Sequence, residues 1–215
     1  MSDARPTVVS IASVAPSEVA ALHLQYLVTP FRGPAGQKLL ELYYDAFAHT
    51  EDAFGLVAMV DGHIAGFACV ARDTRHVQLT LLRRTPLRLA WRAVAVLAQQ
   101  PHLLVDLLKR LRGRPTERIR WQRPEEWSDW WPYRPLVVAT PYRKYGVADL
   151  LMQSVLEEAR RRGIRGLIGT SERANAQSRV NLVRNGYQEV WRDEDYVVFV
   201  RPVDAQPDAR LERSQ

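Results

Sequence analysis

The segment Leu136-Val-Val-Ala-Thr-Pro-Tyr-Arg-Lys-Tyr-Gly-Val-Ala-Asp149 passes from four apolar residues, through a cationic turn, into an amphipathic helix. Leu136 to Ala139 is predicted as a short buried strand. The helix is predicted to run to Arg162, with Val147, Leu150, Leu151, Val155 and Ala159 on one stripe. Asp149 in its first turn and Arg160 to Arg162 in its last complement the helix dipole, and Gly163 supplies the C-cap. A tight strand-to-helix turn leaves several backbone N–H groups unpaired where the dipole adds positive charge, which suits a phosphate. Gly146 allows close backbone approach, Ala148 adds little bulk, and Arg143 and Lys144 add charge. Taken alone, the turn fits an unliganded connection equally well.

Outward from this segment the pattern alternates strand and helix. Gly166 to Thr170 reads as a strand, Asn175 to Arg184 as a helix stopped by Asn185-Gly186, and Tyr187 to Trp191 with Tyr196 to Arg201 as a hairpin around Asp193-Glu194-Asp195. Upstream, residues 7–12 read as a strand, Pro16 to Leu27 as a helix, and Gln37 to His49 as a second. Gly55 to Val60 and Ile64 to Ala71 flank Asp61-Gly62, a strong hairpin signal. One domain over residues 1–202 is expected, with a polar, disordered tail at 203–215.

The chain has 215 residues, 30 basic and 24 acidic, for a formal net charge of +6. Between Arg83 and Arg123 there are 11 basic residues against Asp106 and Glu117, a net of +9; the remaining 19 basic and 22 acidic residues give −3. Basicity therefore belongs to one segment, which argues against a nucleic-acid-binding fold as a whole. Pro86 to about Gln99 and Pro101 to Gly113 read as a helical hairpin inserted between the third and fourth strands. Arg84, Arg88 and Arg92 are placed on one face, opposite Leu87, Val94 and Leu97, while the second helix carries Leu103, Leu104, Leu107, Leu108 and Leu111. Such apolar faces are expected to dock on the core or on a second copy, so a homodimer is one arrangement they allow. Trp121, Trp127, Trp130 and Trp131 are expected to cover core.

The most apolar window, Leu87 to Leu111, is interrupted by Arg88, Arg92, Pro101, Asp106 and Lys109, so no membrane span is expected. A lone cysteine, Cys69 in an apolar run, fits a buried residue in a reducing, cytoplasmic protein. The five histidines show no metal-ligand spacing, and no Gly-x-Ser-x-Gly elbow is present.

The run from Leu136 to Tyr187 resembles the core of the GNAT superfamily, the acyl-CoA-dependent N-acyltransferases. The matching pieces are the strand Leu136–Ala139, Pro141, Arg143-Lys144-Tyr145-Gly146-Val147-Ala148, the strand Gly166–Thr170, and Asn175-x-x-Ser178 with Asn185-Gly186-Tyr187. The resemblance implies an α/β (α+β) fold: a mixed, mostly antiparallel sheet flanked by helices and split between its fourth and fifth strands. It implies acetyl-CoA as cosubstrate, with the backbone of Val137, Val138 and Ala139 along the thioester arm. The turn from Arg143 through Lys144, Tyr145, Gly146, Val147, Ala148 and Asp149 would hold the pyrophosphate, and Asn175 would contact the cofactor. Ala148 stands where glycine is commoner, the spacing from Pro141 to Gly146 is one residue short, and Leu182 stands where the family often has a thiolate-protonating tyrosine.

The implied reaction is direct attack of a primary amine, on a small molecule or a protein, upon the acetyl thioester. An alkyl amine with a pKa near 10 needs a base or desolvation. Glu125, Glu126 and Asp129 upstream of the fourth strand and Glu172 after the fifth are the carboxylate candidates; of these Glu126 and Glu172, with Tyr133 as an acid or base, are carried forward. Two other readings stay open: a non-catalytic CoA-binding protein, and an anion-binding module built on the 83–123 hairpin.

Overall fold

The computed structural model describes residues 6–27, 29, 31–99 and 121–204. Seven strands form one sheet in the order β1-β2-β3-β4-β5-β7-β6. They are β1 Thr7–Ser10, β2 Ala53–Val60, β3 His63–Ala71, β4 Trp131–Val138, β5 Gly166–Glu172, β6 Gln188–Arg192 and β7 Tyr196–Pro202. All neighbours are antiparallel except β4 and β5. The helices are α1 Pro16–Tyr26, α2 Gly33–Ala48, α3 Thr74–Arg84, α4 Pro86–Gln99, α5 Val147–Arg161 and α6 Ala176–Arg184.

Both faces of the sheet are covered, which is why β2, β3 and β7 read as apolar runs and not as alternating strands. On one face, the α5 stripe of Val147, Leu151, Val155 and Ala159 packs with Ala58, Ala68 and Phe199. On the other, Val19, Leu40, Tyr44 and Phe47 of α1 and α2 pack on Val57, Phe67 and Val137. Gly66 marks where β3 must lie close to its neighbour: a Cβ there would stand 2.5 Å from Val137 O. Trp121, Trp127 and Trp130 stack with ring centroids 6.0 and 5.5 Å apart and, with Trp191, cover Ile168, Val198 and Val200, as the sequence led us to expect.

The structure corrects four expectations. First, β4 begins at Trp131, not Leu136. Pro132 and Pro135 obscured it, because proline cannot donate to a ladder; here Pro135 lies at an irregularity where no such bond is required. Second, α3 went unread: Asp73 caps it by accepting from Arg75 N, but only Val77 and Leu81 point inward.

Third, α4 docks through the other side. Val96 is buried and Leu89, Arg92, Ala93 and Leu97 are half-buried, whereas Leu87, Trp91 and Val94 are 84, 71 and 60% exposed. Both stripes are apolar and lie two positions, about 200°, apart, so periodicity could not tell inside from outside. Fourth, Val203 belongs to the fold: it is buried, donates its N–H to Arg165 O at 3.0 Å and accepts from Arg160 Nε at 3.1 Å. The second expected insertion helix, residues 101–113, and the tail from 205 lie outside the described residues. Among the described residues, no helix is long and apolar enough to cross a membrane.

Candidate active site

β4 and β5 run parallel and pair at only two positions, Trp131 with Leu167 and Pro132 with Ile168. Beyond these the strands part, leaving a cleft of about 880 Å³ bounded by β4, β5, the end of α1, and the starts of α5 and α6. Ala139 N donates to Ala65 O at 2.9 Å. In an antiparallel ladder the residues on either side of such a pair direct their backbone groups the other way. Val138 and Leu136 therefore turn their peptide groups toward the split. Of the three β4 residues expected along the cofactor arm, Val137 and Val138 line the cleft and Ala139 does not; Leu136, not anticipated, does.

β4 is also bulged. Ala68 pairs Leu136 and Val70 pairs Tyr133, so three steps of β4 oppose two of β3 across Arg134-Pro135. A bulge re-aims the side chains beside it. Tyr133 packs against the α5-side core, whereas Arg134 interacts electrostatically with Tyr43 of α2. Both line the cleft.

The floor of the other end is the N-terminus of α5. Gly146 sits at its N-cap with φ 69° and ψ 10°, and no side chain caps the helix. The first backbone bond into the helix runs from Leu150 N to Gly146 O at 3.0 Å, leaving the amides of Val147, Ala148 and Asp149 without helical partners. No protein atom lies within 4 Å of the place a Gly146 Cβ would take. Arg143, Lys144, Gly146, Ala148, Asp149 and Asn175 line the cleft as expected. Tyr145 is exposed and Val147 is buried in the core, and neither lines the cleft. Arg143 donates Nε to Val138 O at 3.2 Å and lies over the Tyr26 ring at 5.9 Å, tying the end of α1 to β4. The Asp149 carboxylate faces α6: it pairs with Arg184 and accepts from Asn185 Nδ2 at 2.8 Å. Asn175 caps α6, accepting from Ser178 N at 3.0 Å. An uncapped helix start, cations beside it and an empty approach at Gly146 fit an adenosine-pyrophosphate thioester.

Of the catalytic candidates, only Tyr133 reaches the cleft. Tyr187 Oη donates to Tyr133 Oη at 3.1 Å, so the Tyr133 hydroxyl keeps its own proton for another acceptor. Burial raises the Tyr133 pKa above the ordinary phenol value, opposed by the Tyr187 hydrogen bond and by Arg201. Tyr133 is thus a phenol at neutral pH, able to give a proton and not to take one. Glu126 lies exposed in the single turn Glu125–Trp127, and Glu172 is exposed at the far end of β5; neither lines the cleft. Glu125 is exposed in the same turn, and Asp129 pairs with Arg72 at 3.4 Å and Arg165 at 4.0 Å. Leu182 is buried against Gly169, whose added Cβ would meet it at 2.8 Å, so this position is filled by packing. No sequence signal paired Tyr133 with Tyr187, because they are 54 residues apart.

A seven-stranded mixed sheet that parts between β4 and β5 above an uncapped helix defines an acyl-CoA-binding N-acyltransferase fold. The chain belongs to the acetyltransferase (GNAT) family, whose model matches residues 22–187; acetyl-CoA is that family's cofactor, and acyl transfer its chemistry. No curated protein sequence matches the chain. Among solved structures, it is similar to an acetyltransferase at TM-score 0.60 and 16% identity, covering 92% of this chain and all of that one. It is similar to yncA of Salmonella typhimurium, solved with its cofactor acetyl-CoA, at TM-score 0.56 and 14% identity over 97% of this chain and 99% of that one. The ribosomal-protein-S18-alanine N-acetyltransferase of Escherichia coli is similar at TM-score 0.52 and 13% identity, over 95% and 98%. At these identities the likeness is one of fold.

Proposed function

We propose that this protein transfers an acetyl group from acetyl-CoA to a primary amine by direct attack in the β4–β5 cleft. The observation that carries this is the parting of β4 from β5 directly above the unpaired amides of Val147 to Asp149. Acetyl-CoA supplies the activated acyl group as a thioester. Leu136 and Val138 offer backbone groups along one wall, Lys144 to Asp149 hold phosphate, and Asn175 stands at the opposite rim. Tyr133 holds a proton at Oη for the departing sulfur, and Tyr187, by donating to that oxygen, stabilises the charge that forms on it. Among the described residues no unpaired carboxylate lines the cleft. Its walls carry Arg143 and Lys144, an environment that disfavours an ammonium ion and favours the neutral, nucleophilic amine. Water then suffices to take the proton.

The test is release of free CoA from acetyl-CoA by the full chain with a panel of small amines, amino acids and peptides. Amine-dependent release above background hydrolysis is expected. Binding of CoA without release on any of them would establish the non-catalytic alternative. Replacing Gly146 with alanine places a Cβ at a left-handed backbone position, costing about 1 kcal/mol and a melting-temperature drop of roughly 2–4 °C. That Cβ also enters the space left open above the helix, so CoA affinity is expected to fall roughly tenfold, about 1.4 kcal/mol. Calorimetric titration of CoA into the variant measures it.

A further inference from the structure

One charge on the cleft wall is accounted for neither by the phosphate cradle nor by the fold. Of the four cations there, Arg184 is paired with Asp149, and Arg143 and Lys144 lie in the turn leading into α5. Arg134 makes no hydrogen bond or ion pair with any described residue. Next to Tyr133 on β4 it points by strand alternation to the opposite face, toward Tyr43, so it stands across β4 from the residue that holds the proton. It is reached by solvent, yet it sits in a concave wall: burial lowers its pKa, Tyr43 and Asp73 raise it, and Arg123 lowers it further. The Asp73 carboxylate is engaged as the cap of α3, and Arg123 donates to Ser128 O and Trp130 O at 3.4 and 3.2 Å. A guanidinium left without a carboxylate in such a place is suited to a bidentate anion. Asp149 is the one carboxylate among the described residues of the wall, and it is already paired, so nothing there would receive a second ammonium group.

We infer that Arg134 receives an anionic group of the acceptor, so that the amine acetylated here belongs to a molecule that also carries a carboxylate or phosphate. The inference rests on the N-acyltransferase reading of the cleft. It predicts that amino carboxylates or amino phosphates are preferred over neutral amines of the same length, and that diamines are poor acceptors.

The experiment compares 4-aminobutyrate and phosphoethanolamine with butylamine, ethanolamine and putrescine. Each compound is assayed for kcat/KM and titrated calorimetrically into the protein saturated with CoA, using the wild-type chain, Arg134→Gln and Arg134→Lys. At least a tenfold preference for one anionic amine over its neutral counterpart is expected. Whether the carboxylate or the phosphate carries the larger preference assigns the group. Arg134→Gln should erase that preference through KM, with the KM for acetyl-CoA unmoved, and Arg134→Lys should restore part of it. Equal use of charged and neutral amines, superior turnover of putrescine, or a uniform loss on all amines in Arg134→Gln would overturn the inference. Should no amine be turned over, the acyltransferase reading fails, and the calorimetry decides separately. Binding of an anionic amine that Arg134→Gln abolishes upholds the anion site; no such binding removes it.

Discussion

Tyr133→Phe should lower kcat by about 100-fold or more while leaving the KM for acetyl-CoA within a few-fold of wild type, as expected when a positioned general acid is removed. The substitution keeps the ring that packs on the α5-side core and deletes only the hydroxyl of this cleft-lining residue. The uneven effect follows from what each group touches, since the cradle at Gly146 and the β4 backbone are unchanged. Tyr187→Phe removes a donor to Tyr133 and not the proton itself, so a loss nearer fivefold, about 1 kcal/mol, is expected. Stopped-flow measurement of CoA release for the two variants separates the roles; equal losses would show that the pair acts only through packing. Because burial holds the Tyr133 pKa above the phenol value of about 10, any alkaline fall in kcat from this group should lie above that pH. If Tyr133→Phe were fully active, the sulfur would leave without it, which a thiol of pKa near 8.5 can do slowly.

Leu151→Ala should destabilise the chain by about 3 kcal/mol, lowering the melting temperature by roughly 6–12 °C. Leu151 is fully buried on the α5 stripe and reaches β3 at Gly66, where its Cδ1 would stand 3.3 Å from an added Cβ. The cavity has little means of closing, because Val147 and Val155 on either side are themselves fully buried and pack the same strands. The loss should appear in thermal unfolding followed by circular dichroism. It bears on the site as well, since this stripe presses against the sheet the helix whose first turn is proposed to hold phosphate. A loss below about 1 kcal/mol would mean that α5 is held chiefly by its ends, through Asp149 with Arg184 and Arg162 with the carbonyls of Glu51 and Ala53.

The turn proposed to hold phosphate was legible in the sequence because it is local. Glycine at a left-handed cap, two cations before it and an amphipathic run after it all fall within one short segment, and the structure places them at one helix start. The same locality made the Asp61-Gly62 hairpin readable, with β2 and β3 meeting at Val60 and His63. Glu126 and Glu172 stand out in the sequence only by position relative to β4 and β5, and position along a strand does not say which way a side chain faces. The expected α4 face of Leu87, Val94 and Leu97 fails at Leu87 and Val94 because two opposite faces of that helix are apolar and only docking distinguishes them.

The sequence by itself determined the order of the seven strands, the family and the glycine turn into α5, since each depends on periodicity or on contacts a few residues apart. Tertiary structure decided what the cleft contains besides the cradle. The bulge at Arg134-Pro135 arises from register against β3, and it keeps Tyr133 and Leu136, three residues apart, on one face of the strand. The Tyr133–Tyr187 hydrogen bond closes over a long separation, and Ala139 is turned from the split by its bond to Ala65. Such features come from pairing between distant segments, for which a linear pattern of side chains carries no signal.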